Sequence, residues 1–258
     1  MKRAAHDSKD RSINRKSGLL PIQNLKSKIR NGLVVRDVRK SFRAPSGDRL
    51  EVLRGVSFEV AAGEMVAVRG SSGAGKTTLL HVVGGLEEAD GGECFLGEFN
   101  ITRTRGSELA RFRNEQVGFV FQFHHLLPDL TATENVCLPL LINRTPMKEA
   151  RKRALLALER VRLSERAEHR TAQLSGGEQQ RVAVARAVVS EPGLVLADEP
   201  TGNLDAAVGD EIGSLLASLC REHGAAMLIA THNERLAALC DRVLRLEHGK
   251  IEINKGAG

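Results

Sequence analysis

The stretch Gly70-Ser-Ser-Gly-Ala-Gly-Lys-Thr77 constrains this chain more than any other. It follows an apolar run, Met65-Val-Ala-Val68, and opens a helix-like run, Thr78-Leu-Leu-His-Val-Val83. The pattern is G-x-x-x-x-G-K-[ST], a P-loop in the strand–loop–helix setting that the motif needs. Glycines let successive backbone N–H groups turn inward and form an anion nest. The helix that follows aims its unpaired donors and partial positive charge at the same point. Gly70, Ser71, Ser72, Gly73, Ala74, Gly75, Lys76, Thr77 and Thr78 are therefore the expected phosphate cradle. Lys76 is expected to reach the outer phosphates, and the Thr77 hydroxyl to ligate Mg²⁺. The rival reading is a Gly-rich turn in an unrelated α/β protein; the matching flanks favour a nucleoside triphosphate.

A chain of 258 residues is long enough to bury one generous core, or a core with a subdomain. No window approaches the roughly 20 apolar residues of a membrane span. The charged N-terminus lacks the apolar centre of a signal peptide, so the chain is expected to stay where it is made. Cys94, Cys137, Cys220 and Cys240 form no C-x-x-C pair and read as small apolar residues in a reducing compartment. With no Trp and no Tyr, an aromatic contact to a base must come from one of the eight Phe. The net charge of +6 is localised: residues 1–32 hold nine Lys/Arg against two acids, and the remainder has 29 basic against 30 acidic residues. That extension is expected to be a solvated, disordered tail, although anionic lipid or nucleic acid would also suit it.

Order is expected from Leu33. Extended segments are read at Leu33–Phe42, Leu50–Leu53 and Val56–Val60, and a hairpin over Gly91–Ile101, so an antiparallel sheet should lie beside the nucleotide-binding core. A helix over Ser107–Gln116 precedes a buried strand, Val117–Phe121, which ends at Gln122. Thr131-x-x-Glu134 is a capping box opening the next helix. Thr145 with Pro146 marks another helix start, Pro146 being suited to its first turn. Residues from about 122 to 178 thus form a mainly helical insert. After it come a helix over Gly177–Ser190, a strand Leu194–Ala197 ending at Asp198-Glu199, a helix over Ala206–Glu222 and a strand Met227–Ala230 ending at Thr231-His232. A last helix and a strand at Arg242–Leu246 close the pattern.

Asp198 and Glu199 supply what phosphoryl transfer needs beyond the P-loop. One carboxylate can orient Mg²⁺, and the other can orient or deprotonate the attacking water. Alone, such a pair could be a solvated strand end. Leu174-Ser-Gly-Gly-Glu-Gln-Gln-Arg181 is a Gly-Gly turn entering a helix, which alone would be read as a capped helix start.

Together these residues resemble the ATPase subunits of ABC transporters, over nearly everything from Leu33 onward. The resemblance implies an α/β fold: a P-loop NTPase (RecA-like) core carrying an antiparallel β subdomain and a helical subdomain, within one domain at 33–258. It makes Gly70–Thr77 the Walker A motif, Gln122 the Q-loop glutamine, Leu174–Gln179 the signature and Leu194–Asp198 Walker B. Glu199 becomes the catalytic carboxylate, Gly202–Asp205 the D-loop and His232 the switch histidine. Phe42 falls where the family stacks an aromatic ring on adenine, without the hydroxyl of the usual Tyr.

The same resemblance implies ATP and Mg²⁺ as cofactors, with Thr77, Gln122 and Asp198 around the metal. It implies a head-to-tail homodimer in which Ser175, Gly176 and Gly177 of one copy close over the ATP of the other, with Asp205 signalling across the interface. The segment Phe123–Leu141 looks closest to the ATPase of the lipoprotein-releasing system. It is where such ATPases meet the integral-membrane permease at the cytoplasmic face of the inner membrane. Relatives serving macrolide or peptide export, or mechanical signalling in cell division, share much of this pattern. A nucleic-acid ATPase of the family would call for a long coiled-coil insertion, zinc cysteines or a second P-loop, and none is present. No direct nucleic-acid contact is expected.

Overall fold

The computed structural model describes residues 32–45 and 47–252; the basic extension expected at 1–32 falls outside them except for Gly32. The chain begins with β1 (Leu33–Arg43) and β2 (Arg49–Val60), a long antiparallel pair with Leu33 opposite Val60 and Arg43 opposite Arg49. The two segments expected at Leu50–Leu53 and Val56–Val60 are one continuous strand. It passes through Gly55 with φ +85°, a conformation open to glycine at little cost. β3 (Met65–Arg69) leads through the P-loop to α1 (Lys76–Val83). β4 (Gly91–Leu96) and the short β5 (Phe99–Asn100) form the expected hairpin and complete a four-stranded antiparallel sheet in the order β2-β1-β4-β5.

α2 (Gly106–Gln116) feeds β6 (Val117–Phe121). Between β6 and the next strand lie α3 (Ala132–Ile142), α4 (Met147–Arg160), two short 3₁₀ turns and α5 (Gly176–Val188). β7 (Leu194–Asp198), α6 (Ala206–His223), β8 (Ala226–Ala230), α7 (Glu234–Ala238), β9 (Arg242–Glu247) and β10 (Lys250–Glu252) follow. The second sheet runs β10-β9-β3-β8-β7-β6, parallel except for β10 at the edge.

The central strands are apolar at nearly every position because both faces of a parallel sheet are covered. Alternation then assigns each side chain to a face. Val66, Val68, Leu194, Leu196 and Leu228 pack with α1 and the antiparallel sheet. Met65, Val195, Ala197, Met227 and Ile229 pack with residues of α3, α4, α5 and α6. Each fully buried Leu or Val contributes about 1.5–3 kcal/mol, so the cores on the two faces hold the strand ends in fixed register.

One local expectation shifts. Pro146 is the N-cap of α4 rather than a first-turn residue: its ψ of 138° is extended, and its carbonyl accepts the N–H groups of Glu149 and Ala150. The helix that the capping box opens runs through Leu138–Leu141, with Pro139 inside α3. Pro lacks only the N–H that would bond Asn135, and the carbonyl of Pro139 accepts from Asn114 Nδ2 at 3.0 Å. The expected capping box of Thr131 and Glu134 is present with both reciprocal bonds, and Ser175 with Glu178 forms a second one.

Candidate nucleotide site

Parallel register puts the ends of β6, β7 and β8 side by side, with Phe121 opposite Asp198 and Asp198 opposite Ala230. The residues that follow, Gln122, Glu199 and Thr231-His232, therefore emerge along one edge, where open α/β sheets place their ligands. β3 is next in the sheet and delivers the P-loop to the same edge.

Two glycines of that loop have stated reasons. A Cβ on Gly70 would lie 2.1 Å from the Leu246 carbonyl, a backbone atom that cannot move away. Gly75 is the N-cap of α1 with φ +101°, and a Cβ there would meet Val52 Cγ1 at 2.9 Å. Lys76 Nζ donates to the carbonyls of Gly70 and Ser71 at 2.9 and 3.0 Å, so the ammonium curls back over the loop. Ser71, Ser72, Gly73 and Thr77 are exposed, Thr78 is half-buried, and Ala74 is buried beneath the loop.

The Thr77 hydroxyl donates to Asp198 Oδ2 at 2.7 Å. Burial pushes the Asp198 carboxyl above its usual range, and the neighbouring Glu199 adds to that, while the Thr77 bond offsets part of it. Glu199 has φ +45°, a left-handed conformation that costs a non-glycine residue about 1 kcal/mol or more. Its carboxylate accepts from His232 N at 3.2 Å and lies 2.9 Å from His232 Nδ1. Its own N–H donates to the Ala230 carbonyl. The imidazole is largely exposed whereas the carboxylate is mostly covered, so the histidine caps the acid from the solvent side. Thr231 is fully buried; its N–H bonds the Val68 carbonyl, and its hydroxyl accepts from Asn233 N.

Gln122 does not bond either carboxylate. Its Nε2 donates to Asn203 Oδ1 at 2.9 Å, and Asn203 Nδ2 donates back to the Gln122 carbonyl at 3.4 Å. Asn203 thus joins the Gln122 loop to the segment before α6, a link that the chain order does not reveal because the two residues are 81 positions apart. Phe42 lies on β1, 39% exposed, with Lys40 Nζ 4.9 Å from the centre of its ring. Its strand partner is Leu50, two residues before the Val52 that touches Gly75. The antiparallel sheet and the P-loop are thereby in contact.

Ser175, Gly176 and Gly177 lie at the start of α5. Ser175 caps α5, and Gly177 packs so closely on Val208 that a Cβ would come within 2.6 Å of it. Asp205 caps α6 through the Val208 N–H at 3.0 Å. Among the described residues no hydrogen bond connects Leu174–Gln179 to the P-loop.

Residues 53–202 match the family model described as ABC transporter. The lipoprotein-releasing system ATP-binding protein LolD of Paramagnetospirillum magneticum is 50% identical over 221 residues, covering 86% of this chain and 97% of that protein. LolD of Pseudomonas fluorescens is 48% identical and LolD of Porphyromonas gingivalis 49%, over 85% and 84% of this chain and 96% of each relative. Among solved structures, a dimer of the ATP-binding cassette MJ0796 in a post-hydrolysis state, bound to ADP and Pi, is similar with a TM-score of 0.78 and 36% identity. It matches 86% of this chain and 97% of that one. A family model spanning more than half of the chain, and relatives about half identical over most of it, lead to one conclusion: the chain belongs to the ABC transporter family as an ATP-binding subunit.

Proposed function

We propose that this subunit hydrolyses ATP to drive an inner-membrane complex that releases lipoproteins, as the names of its relatives suggest. The observation that carries the chemistry is the adjacency, at one sheet edge, of the Thr77–Asp198 pair and the Glu199–His232 pair. Gly70–Thr78 cradle the phosphates and Lys76 turns outward onto the outer ones. Glu199 holds the attacking water and takes its proton, and His232 holds the Glu199 carboxylate in place and faces the terminal phosphate.

A hydroxyl and a carboxylate 2.7 Å apart are hard oxygen donors of the kind magnesium takes beside substrate phosphates. Thr77 and Asp198 would hold it, with Gln122 reaching it once released from Asn203. When bound, the ion neutralises phosphate charge. Phe42 offers a ring face to the adenine.

The remaining ligands come from a second copy: Ser175, Gly176 and Gly177 close over the nucleotide, and Asp205 reports closure across the interface. The placement of the signature and the P-loop at the starts of two different helices, α5 and α1, and the dimeric form of the similar cassette, support that arrangement. Residues 33–258 act as one ATPase unit in which 122–178 form a helical arm.

Among the described residues no helix is long and apolar enough to cross a membrane, so coupling runs through a permease at the cytoplasmic face. Leu86, Phe119, Phe121, Pro139 and the exposed Ile142 line an open groove of about 390 Å³, and Phe123 and Leu127, on the loop after Gln122, are exposed as well. An exposed apolar patch beside Gln122 suits a permease helix.

The test is a pull-down. Glu199→Gln protein, purified with ATP from detergent-solubilised membranes of its own host, should bring down a permease with large periplasmic domains and bound lipoprotein. Recovery of a drug-export or division-type permease instead overturns lipoprotein release, and recovery of no membrane protein overturns transport.

A further inference from the structure

Gln180 and Arg186 have no part in the mechanism above, yet both are directed at it. Gln180 lies on α5, 1% exposed. Its Nε2 donates to the Pro200 carbonyl at 2.7 Å and to the Phe121 carbonyl at 3.4 Å. Pro200 follows Glu199, and Phe121 precedes Gln122. Two carbonyls facing the same atom fix the amide's orientation, because the flipped form would set oxygen against oxygen. The Gln180 Oε1 is left buried without a partner. A thioether of the same length would fill this space without burying an unpaired acceptor, so packing does not account for the amide.

Arg186, on the same helix, donates to the carbonyls of His124 at 2.8 Å and His125 at 2.7 Å. The loop there is fixed further by His125, which has φ +48° and sets its ring edge-on to Phe121 at 5.0 Å. One helix thus holds the backbone on both sides of Gln122 and the backbone next to Glu199. The N-terminus of that helix is Ser175. β6 runs hard against it: a Cβ on Gly118 would lie 2.2 Å from the Ala187 carbonyl.

We propose that Gln180 and Arg186 are positioning residues that make α5 a rigid link, so that engagement of its Ser175 end by a second copy reaches Gln122 and Glu199 as one movement. This rests on the site reading above. Both side chains are bonded to backbone carbonyls outside the P-loop, so their loss should misplace the reacting groups while leaving nucleotide affinity intact.

The experiment compares wild-type full-length chain with Gln180→Met, Gln180→Glu, Arg186→Lys and Gln122→Ala in Mg-ATP turnover, with thermal melts to count folded protein. Gln180→Met keeps the volume and loses the donor; its kcat should fall about tenfold with KM for ATP within about twofold. Gln180→Glu keeps the shape, yet an ionised carboxylate cannot donate to two carbonyls, so it should be at least as impaired. A folded Gln180→Met with kcat unchanged, or with KM raised and kcat held, overturns the inference. If neither Gln180 variant folds, Arg186→Lys decides by the same kcat-against-KM criterion. Wild-type turnover by Gln122→Ala would overturn the site reading and the inference with it. Impaired Gln122→Ala beside unimpaired Gln180 variants would overturn this inference alone.

Discussion

The geometry of the candidate site depends on a few side chains whose partners are far away in the chain. Glu199 sits in a left-handed conformation and is held from two directions by His232, 33 positions later. Removing the imidazole takes away the Nδ1 contact to Oε1 and keeps the backbone N–H bond to Oε2, so the carboxylate is less firmly oriented. His232→Ala should therefore lower kcat about a hundredfold with little change in nucleotide affinity, measured by steady-state turnover beside binding of a fluorescent ATP analogue. Affinity falling in step with turnover would show that the histidine serves binding instead. Lys76→Ala should do the converse and abolish turnover by loss of phosphate binding. At this scale the sequence was highly legible. The P-loop works through contiguous backbone, so spacing alone exposes it, whereas the Gln122–Asn203 contact joins two segments through the fold and has no local pattern.

Helix starts can be read almost as well, because capping is local. Thr131 with Glu134, and Ser175 with Glu178, each satisfy two N–H groups within four residues. Both carboxyls are held below the usual glutamate range, first by the backbone N–H of the capping residue. A carboxyl whose folded value lies below its unfolded value stabilises above the unfolded value, about 4.3 for Glu. That contribution is lost as pH falls through the lower, folded value. Both groups are near the surface, so the effect is modest. Glu178→Gln should accordingly narrow the melting difference from wild type as the buffer is taken from pH 7 to below pH 4; a difference constant over that range would show that the ionised form adds nothing. What sequence placed less well at this scale was Pro146, which sits one position before its helix. The fixed φ of proline suits an extended cap as well as a first turn, so a short motif leaves the position open by one residue.

At the scale of the whole molecule, the proposed nucleotide site is divided between two copies. Lys76 and Ser175 lie on separate elements, and the serine side chain already caps its own helix. Glu199→Gln protein with ATP and Mg²⁺ should therefore run as a dimer on gel filtration and return to monomer when ATP is removed. Only monomer under both conditions would count against a shared site. The amino-acid sequence by itself determined the fold class, the phosphate loop, the paired carboxylates and the order of the functional segments. Those features are encoded by periodicity and by residue types at fixed short spacing, which backbone geometry forces. The tertiary structure alone decided which side chains meet: His232 on Glu199, Asn203 on Gln122, Gln180 on Pro200 and Arg186 on His124 and His125. Sheet register and helix packing bring those pairs together, and they are held by two cores whose side chains are chosen for volume and polarity rather than for partners.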